Sequence, residues 1–257
     1  MTNKTLKLKL AWFYPELMST YGDAGNIEVL FYRAKWAGIE MEVEKIELKD
    51  NLKKTPKIDL LFMGGAQDRQ QSIVLKDLLN NKGAIINELL YKEKPALFVC
   101  AAYQLMGQYY ITAEGEAIEG LKILDLYTEN PGFSSKRLVG DIVISSPLFP
   151  DLKILGFENH GGRTYLGKNV KPFGKVLLGN GNNGLDNTEG ALFKNLIATY
   201  LHGPLLPKNP KIADWLIEKA LEVKYKEKFS LNFPNEVFEK TIREIQIEKI
   251  AKKKIST

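Results

Sequence analysis

Apolar and polar positions follow two rhythms from Leu6 to Tyr110. Leu6, Leu8 and Leu10 alternate with Lys7 and Lys9, the period of a strand, which predicts a strand over 6–13. Ile27, Leu30, Phe31 and Ala34 recur at helical spacing, predicting a helix over 26–37 that stops at Gly38. A second strand follows over 41–46. Asp59 to Met63 reads as one short run, continuously apolar after Asp59, as in strands covered on both faces; the turn Gly64-Gly65 and a helix over 72–90 come next. The unit then repeats, with a strand over 96–99 running directly into a helical pattern over 101–110. Such alternation implies an α/β fold: a three-layer, open, mostly parallel sheet with helices on both faces.

The middle of the chain changes rhythm. Strand patterns over 138–145, 153–158, 175–178 and 192–200 are separated by Gly, Asn and Pro turns with no long helix between them, predicting antiparallel additions to the sheet. After Pro207 and Pro210 the pattern is helical again, over 212–225 and 235–254. Neither an internal repeat nor a flexible linker is visible. The expected organisation is one domain over 1–257, with a core over about 6–206 and a C-terminal helical extension over about 207–257.

Composition narrows the class. A single cysteine cannot build a disulfide framework, and 44% hydrophobic residues exclude a disordered chain. No apolar run approaches the ~20 residues of a membrane span. Residues 1–10 lack the continuous apolar stretch of a signal peptide, so a reducing cytoplasm is the expected compartment. The net charge is +5, and three of the five excess charges fall in 239–254, which is no whole-surface nucleic-acid footprint. In that segment Phe238, Ile242, Ile245 and Ile250 have roughly helical spacing. A helix packed on the domain or on a partner is expected; Lys252 to Lys254 leave open a peripheral contact at the inner membrane face.

Two phosphate-like patterns fail on context. Gly179 to Gly184 matches G-x-G-x-x-G, but Leu185 to Gly190 continues as turn where a dinucleotide site needs a helix N-terminus. A hairpin loop is the better reading. Gly162 to Lys168 has P-loop spacing, yet Asn169 stands where the Mg²⁺-binding hydroxyl belongs. No cofactor or metal is expected on this chain.

The sharpest chemistry is Cys100. It falls between an apolar strand and the helical pattern opened by Ala101-Ala102, the position of a nucleophile elbow. A helix N-terminus there stabilises thiolate, and the Ala101 N–H is a candidate oxyanion donor. An inert buried cysteine is the bland alternative. His202 ends another apolar run and is stopped by Gly203-Pro204, so its imidazole joins Cys100 where strand carboxyl ends form a crevice. Gly65 follows a third apolar strand and is the candidate second oxyanion donor. His160, in the loop Glu158 to Thr164, is a candidate base or substrate contact. Cysteine, histidine and Gly-Gly at three strand ends point to acyl transfer.

Gly64-Gly65, Cys100-Ala101-Ala102-Tyr103-Gln104 and Tyr200-Leu201-His202-Gly203-Pro204, with the loop Gly156 to Thr164, resemble the class I glutamine amidotransferases, in their cobyric acid synthase-like branch, over about residues 6–206. Ser19 to Asn26, Gly64 to Asp68, Asn182 to Asp186 and Glu189-Gly190 are similar to the stand-alone glutaminase subunits of lipid II isoglutaminyl synthases. The resemblance implies that Cys100 and His202 hydrolyse L-glutamine through a thioester, with Gly65 and Ala101 as oxyanion hole and Arg137, Gln104 and His160 at the substrate. It also implies a heterodimer. The partner would be a MurT-like Mur-ligase homologue carrying ATP and Mg²⁺, which amidates D-glutamate of the lipid II stem peptide to D-isoglutamine in peptidoglycan synthesis.

Two positions depart from the family pattern. Phe98 and Ala102 occupy places where glycines often flank the nucleophile, and Pro204 stands where the triad glutamate follows the histidine. The missing acid is expected from the partner, with Glu158 or an acid-free Cys-His dyad as alternatives. Outside this reading stand another cysteine hydrolase of similar fold, of γ-glutamyl peptidase type, and an inert scaffold subunit.

Overall fold

The computed structural model describes residues 5–52, 57–233 and 237–255. Strand β1 (Lys7–Phe13), helix α1 (Ala24–Trp36) and β2 (Glu40–Ile46) form one β–α–β unit. A second comprises β3 (Leu60–Met63), α2 (Asp68–Asp77), α3 (Gly83–Tyr91) and β4 (Ala96–Val99), and β4 turns directly into the short helix α4 (Ala101–Leu105). The middle of the chain supplies β5 (Tyr109–Ile111), β6 (Ala117–Glu119), β7 (Leu126–Glu129), β8 (Leu138–Ser146), β9 (Phe149–His160), β10 (Arg163–Leu166), β11 (Gly174–Leu178) and β12 (Thr188–Glu189). The chain then returns through β13 (Ala191–Phe193) and β14 (Leu196–Thr199) before α5 (Leu205–Lys208), α6 (Pro210–Tyr225) and α7 (Val237–Ile255).

The central sheet has the order β13-β14-β4-β3-β1-β2 and is parallel except for β13. Its inner strands β3, β4 and β14 are buried at every residue, which is why their sequences are unbroken apolar runs. The crossover from β1 to β2 and that from β3 to β4 run in opposite directions along the sheet. Right-handed connections therefore place α1 on one face and α2–α3 on the other, and α6 packs beside α1.

Four expectations are corrected. Of the middle strands, the segment over 192–200 does join the main sheet, where β13 is an antiparallel addition, but the others form two further four-stranded sheets, β10-β7-β5-β6 and β12-β11-β8-β9. The pattern over 192–200 is a hairpin, broken at Lys194 with φ 52°. The helix after Cys100 ends at Leu105, because Gly107 lies against Leu126 and β5 begins to pair. The helix expected over 72–90 starts at Asp68 and is interrupted by a π-turn at Leu78–Lys82. That turn lets the wholly buried Lys82 reach Asp77, which also accepts the Tyr14 hydroxyl at 2.8 Å. The helix predicted over 235–254 is α7; its first two predicted residues and the side chains of Lys253 and Lys254 lie outside the described residues. No described helix is long and apolar enough to cross a membrane.

The second small sheet meets the main one beside the site, through β9 and through Glu189 of β12, which accepts the Thr199 hydroxyl at 3.0 Å and the Tyr200 N–H at 2.7 Å. Phe157 of β9 exchanges backbone hydrogen bonds with His202, 3.2 Å from Phe157 N–H and 2.8 Å from His202 N–H. The approach requires Gly156, where a Cβ would stand 2.5 and 2.7 Å from Leu201 Cγ and Cβ. Gly156→Ala is therefore expected to cost about 1–3 kcal/mol by overpacking and to lower catalysis by displacing the strand that holds His202. Urea unfolding midpoints and turnover, measured on the same preparation, check both.

Candidate active site

β3, β4 and β14 are neighbours, so the residues just past their carboxyl ends converge. Val99 pairs with Thr199 and Met63 with Phe98, which brings Gly64-Gly65, Cys100 and His202 to one edge of the sheet. Cys100 has φ 54° and ψ −105°, a strained backbone for any residue with a side chain. The strain is held from both sides: the Cys100 N–H donates to the Thr199 carbonyl at 2.8 Å, and its carbonyl accepts the Gln104 N–H at 3.0 Å. The chain thus reverses within one residue and starts α4 at Ala101. This is the elbow geometry, achieved with Phe98 and Ala102 in place of glycines. As the first helical residue, Ala101 has no intrahelical acceptor for its N–H.

His202 is fully buried. Its Nδ1 lies 3.3 Å from Oδ1 of Asp23, itself fully buried. Nε2 has no nitrogen or oxygen partner among the described residues, and Cys100 is the group that most raises the proton affinity of this imidazole. Burial alone would lower the proton affinity of this imidazole; the negative charge of the Cys100 thiolate, and then Asp23, outweigh it and raise the pKa to about 10. A carboxylate of this chain, that of Asp23, thus already faces the imidazole. It lies just ahead of α1, far from His202 in sequence.

Gly65 stands where expected, between the two reactive groups: a Cβ there would lie 2.8 Å from His202 Cε1 and 3.3 Å from Cys100 Cβ. Its N–H is not free to be an oxyanion donor, however, since it donates to Asp23 Oδ2 at 2.7 Å. Glu158 is not the triad acid either. Its carboxylate accepts the N–H groups of Asn180 and Gly181, both at 2.8 Å, and the Asn180 side chain at 2.6 Å. The glycine-rich loop Gly179 to Gly184 therefore does cradle an anion, but one belonging to the protein.

A cavity of about 260 Å³ opens over this edge and is lined by Cys100, His202, Tyr21, Asp68, Arg137 and Asn159, among others. A larger cleft of about 840 Å³, beside Phe149 and Arg243, contains none of the reactive groups. Arg137 is aimed by its neighbours: it donates through Nε to Asn159 Oδ1 at 3.0 Å and through Nη2 to the Asn159 carbonyl at 2.9 Å, while Arg163 holds the Lys136 carbonyl at 2.6 Å. Tyr21, at φ 58°, sets its ring edge-on to His202 at 5.1 Å and accepts a bond from Asn159 Nδ2 at 2.9 Å.

Gln104 and His160 do not line the cavity. Gln104 is buried, donating to the Tyr200 hydroxyl at 3.0 Å and accepting from Gln71 at 3.2 Å. His160 stacks on the Tyr200 ring at 3.6 Å, with Nδ1 2.7 Å from the Gly162 carbonyl. Burial pushes its pKa down to about 3, which suits neither a base nor a cationic substrate contact at neutral pH. Beneath the site, Glu189 is pushed up to about 8 by burial and accepts the Tyr200 N–H at 2.7 Å. Sequence reasoning missed Asp23, Asp68, Tyr21 and Asn159. The first three flank predicted helices near strand ends, the one signal that could have found them.

Residues 9–210 match a family model described as the CobB/CobQ-like glutamine amidotransferase domain. The chain is 43% identical over 218 residues to subunit GatD of the glutamine-hydrolyzing lipid II isoglutaminyl synthase of Staphylococcus aureus (strain N315), covering 85% of this chain and 86% of that one. The same subunit of Streptococcus pneumoniae (strain ATCC BAA-255 / R6) is 39% identical over 242 residues, covering 94% and 91%. A crystal structure of a glutamine amidotransferase superposes with a TM-score of 0.57 at 13% identity over 82% of this chain and 98% of that one, a likeness of fold.

Because the chain has only two histidines, their titration can be read separately by NMR. His202 is expected to titrate near pH 10 and His160 to stay neutral down to about pH 3. Cys100→Ala removes the largest raising influence, so His202 should fall by one unit or more; an unchanged titration would contradict the thiolate–imidazolium pairing. For stability the signs are opposite. The His202 contribution is complete below about 6.5 and is lost as pH rises through about 10, whereas that of His160 is present above about 6.5 and is lost as pH falls through about 3.

Proposed function

Because the chain belongs to the CobB/CobQ-like glutamine amidotransferase family, and is an enzyme of that class, we propose that it is the glutaminase subunit of a lipid II isoglutaminyl synthase. The observation that carries the mechanism is the convergence of a strained Cys100 and of His202, backed by the buried Asp23, on one small cavity that also holds Arg137. The Cys100 thiolate attacks the side-chain amide carbon of L-glutamine, and the Ala101 N–H meets the developing oxyanion. With the Gly65 N–H committed to Asp23, the second donor moves one residue on, to Ala66, which lines the cavity. As the tetrahedral intermediate collapses, the protonated His202 gives its proton to the departing nitrogen, releasing ammonia and leaving a γ-glutamyl thioester. Neutral His202 then takes a proton from water, which attacks the thioester to give glutamate and restore the thiolate.

Both ends of the amino acid have a partner of opposite charge. Arg137 and Asp68 line the same cavity, and neither forms an ion pair with a described residue. A guanidinium suits the α-carboxylate and a carboxylate at the start of α2 suits the α-ammonium, so together they favour the free zwitterion over a simple amide.

On this reading ammonia passes to a partner, a MurT-like Mur-ligase homologue on which ATP and Mg²⁺ activate the α-carboxyl of D-glutamate in the lipid II stem peptide. Two relatives named as subunits of that synthase, matched over most of their length, support it. The chain would then work as one half of a heterodimer in the cytoplasm.

Cys100→Ala should abolish glutamine-dependent amidation by the complex and leave amidation from ammonium salts intact; glutaminase activity surviving in that variant would sink the assignment. Asp68→Asn should raise KM for glutamine about 10- to 100-fold with kcat largely kept. Turnover of the analogue lacking the α-amino group should be unchanged in Asp68→Asn. A variant that still discriminates between the two amides would show that Asp68 does not read the ammonium.

A further inference from the structure

Asp23 is wholly buried, and both of its oxygens are engaged. Oδ1 faces His202 Nδ1 at 3.3 Å, and Oδ2 accepts the Gly65 N–H at 2.7 Å. These recipients belong to different strand ends, β14 and β3, on either side of Cys100. The segment around Asp23 is itself fastened to both. Ahead of it, the Thr20 N–H donates to the Gly65 carbonyl at 3.2 Å; behind it, Asn26 Oδ1 accepts the N–H of Leu206, just beyond His202, at 2.9 Å. Space is as constrained as bonding: a Cβ on Gly64 would lie 2.9 Å from Asp23 Oδ2. The Gly64-Gly65 pair is what allows carboxylate, imidazole and thiol to crowd one backbone turn.

We propose that Asp23 is a positioning residue that acts on both halves of the site at once, orienting His202 and fixing the Gly64 to Ala66 turn beside the thiol. The inference rests on the glutamine-hydrolysis reading of Cys100 given above. Only an ionised carboxylate can accept from both recipients together. An asparagine can still accept the Gly65 N–H through its one oxygen. It then presents an NH₂ to His202 Nδ1, which forces the unproductive tautomer. An alanine serves neither. The two actions can therefore be separated by substitution.

In the full-length protein, Asp23→Asn should lower glutaminase kcat by about 10²- to 10⁴-fold, with KM for glutamine within a few-fold of wild type. The alkaline limb of the pH profile should fall by one unit or more. A His202→Ala background removes the first action, and there the rate at which a chloroketone analogue of glutamine alkylates Cys100 reads the second. In that background Asp23→Asn should alkylate at the parental rate, while Asp23→Ala should be about tenfold slower. Wild-type kcat and an unshifted pH limb in Asp23→Asn would overturn the proposal on the His202 side. Equal alkylation rates for Asp23→Asn and Asp23→Ala in the His202→Ala background would overturn it on the Gly65 side. Should Asp23→Ala lose its cooperative thermal transition, the size-matched Asp23→Asn decides through kcat and the pH limb. A wild-type protein that neither hydrolyses glutamine nor reacts with the chloroketone would refute the underlying reading of Cys100, a result distinct from the others.

Discussion

A cysteine, a histidine and an aspartate that are almost wholly removed from water are the constraint around which this site is organised. Cys100 is 8% exposed and His202 and Asp23 are not exposed at all. Charges so placed are tolerated only when each is paired and its remaining hydrogen-bonding capacity is met. The structure meets that demand locally. His202 faces one Asp23 oxygen through Nδ1, the second carboxylate oxygen takes a backbone N–H, and the backbone of His202 is held by Phe157 in β9. The other ionisable groups nearby are kept from competing. His160 is held neutral against Tyr200, Glu158 is occupied by the loop Gly179 to Gly184, and Glu189 is buried under the Thr199 and Tyr200 backbone.

The same constraint explains what the added sheets contribute. The parallel sheet alone delivers a nucleophile, a base and a glycine turn to one edge, but it offers nothing to the far end of a substrate. The hairpin of β8 and β9 brings Arg137 and Asn159 over that edge, with Val139 paired to Asn159, and the bond from Asn159 to Tyr21 joins it to the segment carrying Asp23. Substrate-facing and base-orienting groups therefore share one hydrogen-bonded frame. Its underside is a second polar network, centred on the Tyr200 hydroxyl, which Gln104 and Thr164 contact at 3.0 and 2.6 Å. Gln104 does structural work there, one layer below the cavity.

Much of this was legible in the sequence because it depends on short-range pattern. The buried strands announced themselves as unbroken apolar runs. Cys100 was conspicuous because a lone cysteine followed by two alanines sat where a strand became a helix. His202 followed from the same rule about strand ends. What failed was pairing. Short strands such as β6, β12 and β13 carry two or three residues each, too few to show a period, and their sheets are defined by partners distant in sequence. Gln104 and His160 were placed at the substrate by the family resemblance, and only packing shows them sealed beneath the cavity.

The sequence by itself determined the α/β class, the position of Cys100 and His202 at strand ends, and the family to which the chain belongs, since each rests on residue type and neighbours along the chain. The tertiary structure alone decided which carboxylate completes the site. Asp23 and His202 are 179 positions apart, and nothing local marks Asp23 as more than a polar residue ahead of a helix. It becomes the partner of His202 because the sheet order β14-β4-β3-β1 folds the segment after β1 across the ends of β3 and β14. Burial in that crowded edge then leaves the carboxylate no solvent, only the imidazole and the Gly65 N–H, to satisfy it.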